Sequence, residues 1–158
     1  MSEDMIYFED LVVGTKQAFG RYEVTREEVI EFAKKYDPQP FHLDDEAAAQ
    51  THFRRLSASG WHTCAMVMAM LVKNFMGQKS AGLGSPGLEE LKWRKPVYPG
   101  DVLRVETQLI EKRRSNSRPE MGLTKTHINV FNQNDEVVME SVNIGLMQVR
   151  DPEAGLDV

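Results

Sequence analysis

The segment Tyr36–Asp37–Pro38–Gln39–Pro40–Phe41–His42–Leu43–Asp44 sets a carboxylate and an imidazole five residues apart in a loop held by Pro38 and Pro40. Both groups can give or take a proton near neutral pH when their surroundings tune them. Proline fixes φ, which lowers the entropy of holding the pair in one geometry. Activating a water with one group and delivering a proton with another is the minimum equipment for moving water across a C=C bond. An Asp before Pro is also a common turn starter, and a lone loop histidine is commonly structural. The pair gains weight from Ala58–Ser59–Gly60, which precedes a long apolar run. Glycine admits a ligand close to the backbone. The first N–H groups of a helix lack internal partners and carry the positive end of the dipole, so an N–H at Gly60 suits a developing oxyanion. Ser59–Gly60 also reads as a simple cap and turn.

The elements around these residues follow from periodicity. Residues 1–16 read as an irregular acidic segment and 17–24 as a short strand. Thr25 with Glu28 three residues on reads as a capping box, opening a helix that ends near Tyr36. Residues 44–51 read as a short alanine-rich helix and 52–59 as a loop. From 61 to 76 the residues are apolar on every side, which predicts a helix wrapped by protein, with Gly77 as its C-cap. Residues 80–87 read as glycine-rich loop. Beyond them, 88–97, 103–109, 124–130 and 137–149 read as four strands of an antiparallel meander, with turns at 96–101 and 133–135. The expected class is α+β, a sheet curled around a central buried helix.

The run from Asp37 to Asp44, Gly60 at the head of a long apolar helix, and the later strands together resemble the MaoC-like dehydratases, or R-specific enoyl-CoA hydratases, of hotdog fold. The family pattern is D-x-N-P-x-H-x-D followed by a histidine-glycine or serine-glycine helix start, and the resemblance covers nearly the whole chain. It implies that Asp37 and His42 are the catalytic dyad on the reacting water. Gly60, with Ser59 beside it, is then the oxyanion and substrate-binding element for the thioester carbonyl. The implied reaction is syn addition of water to a trans-2-enoyl thioester, or its reverse. His42 is expected as base to the water and Asp37 as proton donor to Cα, a partition that sequence leaves open. Two positions depart from the pattern. Gln39 stands where the family usually has Asn. Met68 stands two turns beyond Gly60, where some members carry a serine that supports the dyad, so either another polar group holds Asp37 or the activity is altered. The fold further implies a homodimer or larger assembly, with two sheets side by side and an acyl pocket near the interface.

Composition bounds the rest. The 158 residues, 41% hydrophobic and 27% charged, are one domain's worth (1–158), with a tail at 150–158. Cys64 is the sole cysteine, which suits a reducing compartment, and residues 1–20 lack the basic and apolar regions of a signal peptide. A cytoplasmic protein is expected. The net charge of −5 argues against nucleic acid, and no apolar run reaches the roughly 20 residues of a membrane span. Lys92 and Arg118, within local basic clusters, are weak candidates for the phosphates of coenzyme A, against the reading of a solvated rim. The methionines at 66, 68, 70 and 76 read as core that also suits an acyl pocket. Cys64 reads as an inert small hydrophobe and His62 as a packed or interface histidine. No Cys/His spacing suggests a metal site, and no cofactor is expected beyond coenzyme A as part of the substrate. A hotdog thioesterase, a hydratase for short branched or dicarboxylic acyl-CoA, and a non-catalytic acyl-thioester binding module are the alternatives.

Overall fold

The computed structural model describes residues 5–76 and 78–153. Gly77 and the last part of the C-terminal tail lie outside them. After a 3-10 turn at Phe8–Asp10, strand β1 spans Lys16–Glu23. Helix α1 spans Arg26–Tyr36, a second 3-10 turn spans Pro40–His42, and the short α2 spans Asp45–Ala49. The long helix α3 spans Gly60–Met76. Strands β2 (Gly82–Trp93), β3 (Val102–Arg114), β4 (Met121–Phe131) and β5 (Val137–Gln148) complete the chain.

Local signals explain the starts. Thr25 Oγ1 accepts the Glu28 N–H at 3.3 Å, satisfying an orphan donor of α1. The other half of the expected box is redirected, because the Glu28 carboxylate meets Tyr22 and His62 instead. Asp44 caps α2 by accepting the Ala47 N–H at 3.1 Å, so this third member of the motif is a helix cap. In the β4–β5 hairpin, Asn132 Oδ1 accepts the N–H groups of Asn134 and Glu136, and Asp135 takes the left-handed φ of 58°.

The sheet is antiparallel in the order β1-β3-β4-β5-β2. This corrects the expected four-strand meander: β3, β4 and β5 are consecutive neighbours, but β2 crosses to the far edge beside β5. Alternation within a strand reports which face is buried; it carries no information on which strand lies alongside. β2 also starts earlier than expected, within the glycine-rich segment, and reaches β5 through register shifts at its glycines. Lys112, Arg113 and Arg114 lie on β3 rather than in the turn after it.

Helix α3 lies on the concave face of the sheet in the hotdog arrangement. Its buried Met66, Val67, Met70 and Leu71 pack in one core with Leu103, Val105, Ile128, Val130, Val138 and Met139 of the sheet. Each such side chain, fully buried, contributes roughly 1.5–3 kcal/mol before entropy is counted. Gly20, at a φ of +88°, leaves β1 room for the helix, since a Cβ there would lie 2.6 Å from Met70 Sδ. The expectation that protein surrounds α3 holds for one face only. Trp61, Met68, Val72, Phe75 and Met76 are exposed, with Met68 at 52%. Recurring along one side of the helix, they form an apolar stripe that this chain's own sheet does not cover. Among the described residues no helix is long and apolar enough to cross a membrane.

Candidate active site

Asp37 is the residue at which α1 stops. Its N–H still bonds to the Ala33 carbonyl, while its φ and ψ of −150° and 67° leave the helix, as the following Pro38 requires. The backbone then tightens, with Gln39 N–H bonded to Asp37 O at 2.8 Å and His42 N–H to Gln39 O at 2.9 Å. His42 thus sits at the end of a one-turn 3-10 segment started by Pro40. The two prolines bring the carboxylate and the imidazole back to the same side of the loop, with His42 Nε2 3.6 Å from Asp37 Oδ2. That is too long for a direct hydrogen bond. It leaves both atoms able to contact one shared oxygen.

The His42 ring is 5% exposed and packs edge-on to Phe41 at 4.6 Å. Its Nδ1 lies 2.7 Å from the carbonyl oxygen of Ser57. A carbonyl only accepts, so Nδ1 carries the proton and donates it, and neutral His42 presents a lone pair at Nε2. The segment that supplies this carbonyl is pinned by the Ala58 N–H on Val97 O at 2.8 Å. Two residues on, Ser59 Oγ donates to Asp37 Oδ2 at 2.7 Å. Gln39 Nε2 donates to Asp37 Oδ1 at 2.6 Å. Burial pulls the Asp37 carboxyl up, but the bonds from Ser59 and Gln39 and the nearby His42 outweigh it, so Asp37 titrates below an ordinary aspartate.

Gly60 opens α3 directly after Ser59, and the first intrahelical bond runs from Thr63 N–H to Ser59 O. The N–H groups of Gly60, Trp61 and His62 therefore have no acceptor within the helix. The glycine is required sterically: a Cβ there would lie 2.5 Å from Trp93, whose indole N–H donates to Gly60 O at 3.0 Å.

The structure brings Asp37, His42, Ser59 and Gly60 together. Ser59, expected as a substrate-binding group, has its hydroxyl turned to Asp37 and is only 1% exposed. Lys92 and Arg118 are not brought together. Lys92 pairs with Glu90 at 2.5 Å on β2, next to Trp93, and is opposite Glu140 of β5. Arg118 pairs with Glu120 at 3.0 Å in the connection before Met121, which is opposite Gln148. Positions 140 and 148 lie roughly 26 Å apart along a strand rising about 3.3 Å per residue. Within one chain, Lys92 is at the Gly60 end of the sheet and Arg118 is at the other. Among the described residues no group of three or more His, Cys, Asp or Glu is placed to hold a metal.

Sequence reasoning missed the Ser57 carbonyl and the hold that Gln39 and Ser59 have on Asp37. The one available signal was the spacing of Ser57 and Ser59 before the helix, which in extended backbone sets both side chains on one face, opposite Ala58. A second polar cluster was missed as well. Tyr22 OH donates to Glu28 Oε1, which also meets His62 Nε2 at 3.0 Å. Burial and the Glu28 carboxylate push the Tyr22 phenol up to about 12. His62 is 3% exposed and stacks on Phe32 at 4.7 Å, the packed histidine that was expected. Cys64 is half-buried, and burial pushes its thiol up, away from the reactive thiolate.

A family model described as MaoC like domain matches residues 10–131. A 3-hydroxybutyryl-CoA dehydratase of Methylorubrum extorquens is 30% identical over 138 residues, covering 86% of this chain and 80% of the relative. An (R)-specific enoyl-CoA hydratase of Aeromonas caviae is 31% identical over 102 residues, covering 64% and 72%. The crystal structure of a MaoC-like dehydratase from Rhodospirillum rubrum superposes with a TM-score of 0.83 at 38% identity, over 92% of this chain and 99% of that one. The matched region runs from before β1 to the end of β4 and takes in the Asp37–His42 loop and the head of α3, so the chain belongs to the MaoC-like dehydratase family.

Proposed function

We propose that the protein adds water to a trans-2-enoyl-CoA thioester, or removes it from the 3-hydroxyacyl thioester, as a hydro-lyase without a separate cofactor. The observation that carries this reading is the opening of 3.6 Å between His42 Nε2 and Asp37 Oδ2, beside the unpaired N–H groups at the head of α3. In the hydration direction one water contacts both atoms. Its oxygen bonds to Cβ while His42 Nε2 takes a proton from it. The imidazolium then passes that proton to Cα on the same face, so H and OH add syn. The charge moving onto the thioester oxygen is met by the Gly60 N–H and the positive end of α3. Asp37 stays ionised, orients the water and stabilises the imidazolium. The hydrogen bonds that hold its carboxyl low favour this orienting role over the donor role expected for it.

The relatives named for 3-hydroxybutyryl-CoA and enoyl-CoA chemistry support a coenzyme A thioester as substrate. Lys92, at the Gly60 end of the sheet, is the better placed of the two basic candidates for a phosphate, while Arg118 lies at the other end. The uncovered stripe on α3, with Trp93 and Leu88 exposed on the edge strand β2, supports a homodimer that buries both. The reading places the enzyme in the cytoplasm.

The test is hydration of crotonyl-CoA and longer or branched enoyl-CoA by purified protein, followed at the absorbance of the conjugated thioester. Turnover in wild type that is lost in Asp37→Asn and His42→Ala is the expected result. Release of free coenzyme A without hydration identifies a thioesterase instead. Binding of acyl-CoA without any turnover identifies a binding module.

A further inference from the structure

Asp37 is held at both oxygens by side chains. Ser59 Oγ reaches Oδ2 at 2.7 Å from 22 positions along the chain, and Gln39 Nε2 reaches Oδ1 at 2.6 Å from the adjoining turn. A carboxylate bonded at one oxygen still rotates about its terminal torsion, which is soft. A second donor on the other oxygen removes that freedom. The bond to Ser59 is notable for what it replaces. A serine just before a helix ordinarily accepts an N–H of the first turn. Here the hydroxyl donates to Asp37, across the gap between the end of α1 and the start of α3. Ser59 is 1% exposed, which leaves it no surface for a substrate and fits a residue acting through another. Met68, where some family members carry a supporting serine, is 52% exposed on the outward face of α3 and has no proton to donate.

We propose that Ser59 and Gln39 are positioning residues, a two-point clamp that fixes the plane of the Asp37 carboxylate and aims Oδ2 at the oxygen shared with His42. The proposal rests on the hydratase reading for its kinetic consequence, although the clamp itself is independent of turnover. The clamp accounts for both departures from the family pattern with one geometry. The longer amide of Gln39 reaches back to Oδ1, and Ser59 supplies the hydroxyl that position 68 lacks. Because Ser59 is followed by Gly60, the clamp also ties the carboxylate to the N–H groups proposed for the thioester oxygen. A shift of the head of α3 would move both together.

The test uses Ser59→Ala, Ser59→Thr and Gln39→Leu in the full chain. Gln39 is exposed, so its substitution leaves the fold in place even if the buried Ser59→Ala does not fold. Two quantities are read: the titration of the Asp37 carboxyl by carbon-13 NMR, and kcat against KM for crotonyl-CoA. The clamp predicts that the Asp37 titration moves to higher pH in Ser59→Ala and in Gln39→Leu. It predicts that kcat falls about 10- to 100-fold while KM stays within about 2-fold, since misaimed catalytic groups cost rate rather than binding. Ser59→Thr, which keeps the hydroxyl, recovers most of both. An Asp37 titration that stays put in the folded variants overturns the clamp, as does a titration that rises with no loss of kcat in an active enzyme. If wild type hydrates no enoyl-CoA, the hydratase reading fails and the carboxyl titration alone decides the clamp.

Discussion

Two histidine–carboxylate pairs lie at the head of α3, His42 with Asp37 and His62 with Glu28. Both histidines are buried, at 5% and 3% exposure. Both carboxylates titrate low: in each, burial pulls upward and donated hydrogen bonds outweigh it. The difference is in how the bonding capacity is used. His62 Nε2 is in direct contact with Glu28 at 3.0 Å, and among the described residues its Nδ1 has no partner. His42 has its Nδ1 spent on the Ser57 carbonyl and its Nε2 held 3.6 Å from Asp37. One pair is closed and ties β1, α1 and α3 together. The other is held just beyond bonding distance, so that one oxygen lying beside it can contact both atoms. A histidine beside a carboxylate therefore says little about chemistry. The backbone acceptor that fixes the tautomer, and the donors that hold the carboxylate back, separate the pair proposed to react from the closed one.

That contrast breaks or sharpens under substitution. The largest effect is expected from removing either member of the pair proposed to react. His42→Ala and Asp37→Asn each lower kcat/KM for hydration by about 10³-fold or more, while circular dichroism still reports a folded protein. Loss of a comparable size in His62→Ala would erase the distinction between the pairs. Gly60→Ala comes next, because its Cβ drives into the rigid Trp93 ring. A fall of about 10- to 100-fold in kcat, with a change in tryptophan fluorescence, is expected, and unchanged values of both would show that the close approach is not needed.

His62→Ala acts on stability instead. Losing a buried ring stacked on Phe32 and a hydrogen bond to Glu28 costs about 2–3 kcal/mol. At about 2–4 °C per kcal/mol for a domain of this size, that lowers Tm by roughly 4–12 °C, with kcat within about 3-fold.

The smallest effect is the shared response to acid. Each carboxyl sits below its unfolded value when folded, so its contribution is present above that unfolded value, about 4. It is lost as pH falls through the lower folded value. Urea unfolding at a series of pH values from about 6 to 2 should show a shallower acid loss in Asp37→Asn and in Glu28→Gln than in wild type. Equal slopes in all three would show that neither pair is linked to folding.

Much of this was legible in the sequence because it is local. Thr25 at the start of α1, Asp37 at its end, the prolines that fold the loop back and the strand alternation each depend on a few consecutive residues. The meeting of Asp37 and His42 was legible for the same reason: the two share one turn. Glu28 shows the limit. Its spacing from Thr25 marks a capping box, yet its carboxylate serves Tyr22 and His62, which fold against it from another strand and another helix. The apolar run of α3 shows the limit from the other side. Its composition says that every face avoids water, and only the packed chain shows which face its own sheet covers and which is left for another surface.

The sequence by itself determined the main helix and strand identities and the Asp37–His42 loop, since φ and periodicity constraints act over neighbours; the need for glycine at position 60 comes from Trp93, 33 positions away. The tertiary structure alone decided that β2 crosses to the far edge, that the Ser57 carbonyl sets the His42 tautomer, and that Ser59 holds Asp37. Those contacts join atoms 15 and 22 positions apart. Their pairing is set by how α1 and α3 dock on one curved sheet, a choice made by the summed burial of the core and not by any short stretch of chain.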